Sequence, residues 1–375
     1  ASYNTAVGGV ALTANTTGAG NAALGDAALY ANTTGSNNTG IGKDALYTTT
    51  TTSNNTAVGY FSLKANTGTE NTSVGSYANY TNTSGGQNSS LGYNALGANT
   101  TGSNNVAVGK SALSSNTTGE QNTAIGSRSL ELCTTGGYNV AVGYYSLPSN
   151  TTGQYNVAIG RSALTANTTA SNNTAVGYLA LLSNTTGASN TSVGHESLDA
   201  NTTGTENTAV GQGALSANTT GGHNVAVGHA ALNVATTAEH NTAVGKLALS
   251  ANTTGHSNTA GGAYSLQQNT TGGYNAGFGY NALGANTTGS HNVAVGNYAL
   301  DANTTASGNV AVGYAALTGN TTGAGNIAIG YAAGQLMTTK EHNVIIGHEA
   351  GDAMTTDEGY NVLIGSYAGG QLTTG

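Results

Sequence analysis

The chain has no tryptophan, one proline (Pro148), one cysteine (Cys133) and only seven Lys or Arg residues in 375. Each scarcity removes a class of explanation. A single cysteine forms no intrachain disulfide, and with no CxxC or Cys/His spacing neither a structural metal nor a cofactor is expected. Seven scattered cations, within a net charge of −8, cannot build the basic track that displaces counterions from nucleic acid, so no nucleic-acid partner is expected. No apolar run approaches the roughly 20 residues of a membrane helix, so no membrane span is expected either. Few charges and 58 glycines are also found in disordered chains. Disorder, however, does not hold the same residue types in register over hundreds of positions.

What is present is a strict period. An Asn followed four residues later by Gly heads 22 successive repeats, from Asn4 and Gly8 to Asn361 and Gly365. Nineteen of the 21 intervals are 17 residues; Asn55 to Asn71 is 16 and Asn343 to Asn361 is 18. Counted from its Asn, the repeat reads N-T-A-V-G-Y-x-A-L-x-A-N-T-T-G-x-x. Such an array is one continuous architecture rather than a set of independently folded domains. Residues 1–325 keep the pattern. Residues 326–375 diverge: Leu at position 9 becomes Gly334, Gly351 and Gly369, while Leu336, Met337, Met354 and Leu372 supply new apolar groups.

Gly at positions 5 and 15 and the Asn-Thr-Thr run argue against helix. The large apolar columns are position 4 (Val7, Ile41, Val108, Ile329) and position 9 (Leu12, Leu96, Leu215, Leu317). Their spacing around a Gly predicts two short strands, at positions 2–4 and 7–10, with both columns buried. The fold class expected is all-β, a parallel β-solenoid of about 22 coils, stacked roughly 4.8 Å apart into a rod on the order of 100 Å long. Stacked Asn amides and Thr hydroxyls form ladders between identical coils.

The search for chemistry finds little. His223 and His240 share position 17 on successive coils, with His229 near them in sequence, but the same column elsewhere accepts Tyr or Ser, which is not how a ligand column behaves. The carboxylates Glu341, Glu349, Asp357 and Glu358 have no matching nucleophile or base, so no enzyme activity is expected. All 20 Tyr residues fall at positions 6, 7, 10 and 17, beside the strands, where they shield coil edges or stack on sugars. Fifteen repeats carry an N-glycosylation acceptor at position 12: Asn15, Asn32, Asn82, Asn99, Asn116, Asn150, Asn167, Asn184, Asn201, Asn218, Asn252, Asn269, Asn286, Asn303 and Asn320. The same residues make good Asx turns, and both readings stay open at this point.

The segments Asn105-Val-Ala-Val-Gly109, Asn156-Val-Ala-Ile-Gly160 and Asn326-Ile-Ala-Ile-Gly330 resemble the N-S-V-A-I-G motif of YadA-type heads of trimeric autotransporter adhesins. They are also similar to N-T-A-x-G repeats of phage tail-fibre proteins. The resemblance implies a left-handed β-roll, three chains around one axis, and a place at a cell or virion surface. Independently, a coil with one Leu and one Val buries little apolar area, which favours a homo-oligomer.

Together these features lead to an expectation of a non-catalytic extracellular fibre or adhesin shaft, with a glycan or cell-surface receptor as its external partner. Ice binding by ranked Thr is the alternative; against it, Thr at positions 13 and 14 are consecutive and cannot both face one side of a strand. The first residues already belong to the repeat, with no signal peptide in view, and the two ends are in phase. This phase leads to a further expectation of end-to-end continuation, as a longer polypeptide or a filament.

Overall fold

The computed structural model describes residues 1–354 and 359–370. Asp357, Glu358, Leu372 and Thr373 to Gly375 lie outside the described residues. Two compact units are present, Ala1–Ser189 and Asn190–Gly375. The composition change at residue 326 lies within the second.

Each unit is built from three-residue strands at positions 2–4 of the repeat. In the first they run from Thr5–Val7 to Thr174–Val176, and in the second from Thr191–Val193 to Val362–Ile364. Successive strands pair in parallel, position against position: Val106, Ala107 and Val108 oppose Thr123, Ala124 and Ile125 in the first unit. In the second, Val293, Ala294 and Val295 oppose Val310, Ala311 and Val312. Both units are therefore parallel β-solenoids with a 17-residue coil, and no helix occurs among the described residues.

The strand corrects one expectation. Side chains alternate along a strand, so three residues send either one or two side chains inward. Here it is one: Ala107, Ala124, Ala226 and Ala294 at position 3 are fully buried. The larger residues at positions 2 and 4 point outward, and the column expected inside is on the surface, with Ile125 40% and Ile159 39% exposed. Where Leu fills position 9, the space left under the strand takes the methyl of Ala or the hydroxymethyl of Ser, as at Ser192, and no branched side chain.

Gly at position 5 follows from geometry. Gly109 has φ +128°, and a Cβ there would lie 2.6 Å from the carbonyl of Gly126 in the next coil. Both a left-handed backbone and the close approach of the next coil forbid a side chain.

Beyond it the expected second strand is absent. Positions 7 and 9 adopt left-handed conformations, as at Ser111 (φ 55°) and Leu113 (φ 52°), and so does position 17, as at Gln121 (φ 55°). Alternation of this kind tightens the chain into turns while still aiming peptide groups along the axis. Leu113 N–H donates to Ser129 O at 3.0 Å, Thr117 N–H to Thr134 O at 2.9 Å, and Gln121 N–H back to Ser103 O at 3.0 Å. A left-handed Leu costs about 1–2 kcal/mol. That cost is offset because the conformation turns the Leu side chain inward, where Leu113, Leu164 and Leu249 are fully buried.

The core of a coil is thus Leu at position 9, Ala at positions 3 and 8, and two Asn. Near the end of the second unit the volumes are redistributed. Gly334 and Gly351 replace Leu, and the space is filled by Met337, Met354 and Ile345, whose atoms lie 3.1–3.3 Å from where a Cβ would stand. Large groups have moved from position 9 to positions 3 and 12, a swap that conserves volume.

Two substitutions test this architecture by thermal unfolding. Leu164→Ala should cost about 2–5 kcal/mol, as for other fully buried leucines. Gly126→Ala should destabilise strongly, since its Cβ would meet the Gly143 carbonyl at 2.4 Å, whereas Gly213→Ala, with nothing within 4 Å, should change stability by no more than about 1–2 kcal/mol. Equal effects at the two glycines would contradict the packing described.

Candidate functional site

Two amide ladders run inside the coils. At position 1, Asn105 donates from Nδ2 across its own coil to Gly119 O at 3.0 Å, while its Oδ1 accepts the N–H of Asn122 in the next coil at 3.0 Å. At position 12, Asn116 donates to the same Gly119 carbonyl at 2.9 Å and to Asn99 Oδ1 of the preceding coil at 2.8 Å. Two side chains from opposite walls therefore clamp one carbonyl and close the loop. The second unit repeats the arrangement: Asn275 and Asn286 both donate to Gly289 O, at 2.8 and 3.0 Å.

This geometry shows what the Asn of Asn-Thr-Thr does in the folded coil. Of the fifteen acceptor asparagines, Asn15 is half-buried, and the other fourteen, Asn32 to Asn320, are fully buried. In the folded coil these amides serve the fold, each donating from Nδ2 to the carbonyl three residues on, as Asn116 does to Gly119 and Asn150 to Gly153. Thr at position 13 is also committed to the fold, since Thr117 Oγ1 donates to Thr134 O at 3.0 Å. Thr at position 14, as at Thr101 and Thr118, is exposed.

The position 12 ladder is broken at Thr49, Cys133, Ala235 and Met337. One coil before each break, the Oδ1 of Asn32, Asn116, Asn218 or Asn320 is buried without a hydrogen-bond partner. The lost donor is the Nδ2 that the missing Asn would have supplied. Asn303 Oδ1 is also unpaired, and no substitution beside it explains that. Cys133 sits buried in its break with Sγ 3.3 Å from Gly136 O, and burial pushes its thiol up to about 11.

The outer surface carries the aromatic groups. Across three coils of the first unit, Tyr60, Phe61, Tyr77, Tyr80 and Tyr93 form one cluster with ring centroids 4.0–6.1 Å apart, mostly edge to face. Lys64 Nζ lies 4.2 Å from the Phe61 centroid, within cation–π range. Burial, and after it the neighbouring Tyr60, raises the Tyr77 phenol above its ordinary value. Nothing in the Tyr columns alone announced this cluster; the signal was Phe61 and Lys64 in the one coil shortened to 16 residues. Elsewhere equivalent tyrosines stack face to face, as Tyr138 does on Tyr155 at 5.0 Å. The charge of Glu120, 3.3 Å from the Tyr138 hydroxyl, raises that phenol.

His223 and His240 are brought together, stacked at 4.9 Å, with Glu206 Oε2 3.1 Å from His223 Nδ1. These groups follow one another along the axis instead of converging, and His229 does not complete a set with them. No group of three His, Cys, Asp or Glu able to hold a metal occurs among the described residues. Glu349 lies beside His348 at 4.0 Å, while Asp357 and Glu358 are outside the described residues. Compared with protein-family models and with curated proteins, the sequence finds no match.

Cys133→Asn supplies the missing donor to Asn116 and should raise stability by about 1 kcal/mol, read as a higher Tm; a loss of stability would contradict the pairing. In the unaltered protein Cys133 should resist alkylation at neutral pH until the chain unfolds. Because the folded thiol keeps its proton to about 11 and an unfolded thiol releases it near 8.5, stability should fall as the pH climbs between those values. Rapid alkylation of folded protein at pH 7 would contradict the burial.

Proposed function

We propose that this chain is a non-catalytic structural shaft of an extracellular fibre or adhesin, and that it works as a homo-oligomer joined through the outer face of its strands. One observation carries the reading: the branched apolar residues at position 4 face outward. In the first unit this stripe includes Ile125 and Ile159; in the second, Val244 is 44% and Phe278 46% exposed. Val or Ile at position 2, as at Val106, Val140, Val293 and Ile327, widens it. Contiguous apolar surface on this scale marks an interaction face.

The occupant that fits best is another copy of the same chain. Side chains repeat along the stripe at the coil spacing of about 4.8 Å, so a surface with the same pitch can mesh with it along its whole length. A partner of any other period falls out of step within a few coils. The resemblance to YadA-type heads supports three chains as the number and a cell or virion surface as the place. In this reading the aromatic clusters and the exposed Thr column remain free for outside contacts, including glycans or a receptor.

Light scattering of purified protein tests the proposal. The unaltered chain should form a discrete multi-chain species, and Ile125→Lys with Ile159→Lys should shift it to a single chain with an unchanged β signature in circular dichroism. A monomeric unaltered protein, or assembly indifferent to these charges, would defeat it.

A further inference from the structure

Three pairs of tyrosines occupy the same position on successive coils with their rings nearly parallel. Tyr30 stacks on Tyr47 with centroids 5.1 Å apart and planes 8° from parallel. Tyr138 stacks on Tyr155 at 5.0 Å and 16°, and Tyr314 on Tyr331 at 5.3 Å and 11°. All are on the outside of a coil, and all but the half-buried Tyr47 are exposed. Partners in each pair are near copies displaced by one coil, so each ring carbon of one lies about one coil rise from its counterpart in the other. Exposed side chains change rotamer on the picosecond to nanosecond scale, which closes the remaining gap.

We propose that these stacked pairs are sites of oxidative phenol coupling, in which a carbon–carbon bond joins two coils as a dityrosine staple. Each phenol gives one electron and its hydroxyl proton to the oxidant, leaving two phenoxyl radicals. These join through the carbons ortho to oxygen, and the displaced ring hydrogens move to the oxygens, restoring two phenols. One hydrogen peroxide, acting through a haem peroxidase, accepts the two electrons and two protons and leaves as two waters. At Tyr138 the hydroxyl already donates to the Glu120 carboxylate at 3.3 Å, which can relay its proton to the oxidant as the electron leaves.

The coils are otherwise held to each other without a covalent link other than the chain itself. A staple between equivalent residues closes a ring of one coil and removes conformations from the unfolded chain, as a disulfide does. The single cysteine leaves this chain no such option. Coupling depends only on neighbouring coils and not on self-association, so it can succeed or fail independently of the shaft proposal.

The test uses the full-length purified protein, peroxidase and limiting hydrogen peroxide, followed by proteolysis and mass spectrometry. Expected are cross-linked peptides joining Tyr30 to Tyr47, Tyr138 to Tyr155 and Tyr314 to Tyr331, each two hydrogens lighter than the sum of its parts, with dityrosine fluorescence and an upward shift in Tm. Tyr47→Phe, which keeps the stacked ring but cannot form a phenoxyl radical, should abolish only the first link. Coupling solely between separate molecules, links that ignore the stacked pairs, or oxidation of single rings without any coupling would overturn the proposal.

Discussion

Every feature of this protein depends on peptide groups that point along the coil axis and bond to the coil before or after. In a globular domain such bonds belong to long strands or helices. Here only three residues of each seventeen are strand, yet the remaining turns join the ladder because positions 7, 9 and 17 adopt left-handed conformations, as at Ser111, Leu113 and Gln121. Position 5 must then be Gly, since the neighbouring coil passes 2.6 Å from where its Cβ would be. Position 3 is small wherever Leu fills position 9, and takes the larger Ile345 only where Gly334 and Gly351 vacate that space.

The same constraint accounts for two asparagines in a core that holds one leucine. Tight turns leave carbonyls facing inward, where no water can satisfy them. Two amides converging on one carbonyl, as Asn105 and Asn116 do on Gly119, meet that need and link neighbouring coils through the same side chains. Where the ladder lapses, at Cys133 or Ala235, an unpaired oxygen on the preceding coil records the loss. With the interior committed to these amides, the branched apolar residues are displaced to the outside, and the surface acquires the character that favours association.

Much of the fold was legible in the sequence. The period set the coil, Gly8 and its equivalents marked the turn, and Leu at position 9 marked the core. The facing of the strand was not legible, because Ala and Val are both apolar and a three-residue strand has no hydrophobic alternation long enough to separate inside from outside. Leu113 in a left-handed conformation runs against local preference, and only the ladder across coils stabilises it. The Asn-Thr-Thr segment was ambiguous for a different reason: the residues of a glycosylation acceptor are also those of a turn, and the burial of the Asn amide is not written in the motif. The aromatic cluster around Phe61 and Lys64 required knowing which positions of adjacent coils become neighbours.

The central claim is that the turn half of each coil is bonded into the axial ladder as firmly as the strand half. Native-state hydrogen exchange measures this directly, residue by residue. The amides of Leu113, Thr117 and Gln121, all outside the strands and all bonded to a neighbouring coil, should be protected to the same degree as that of Val106 within one. Protection confined to Val106–Val108 and its equivalents, with the intervening residues exchanging as open loops, would contradict the account.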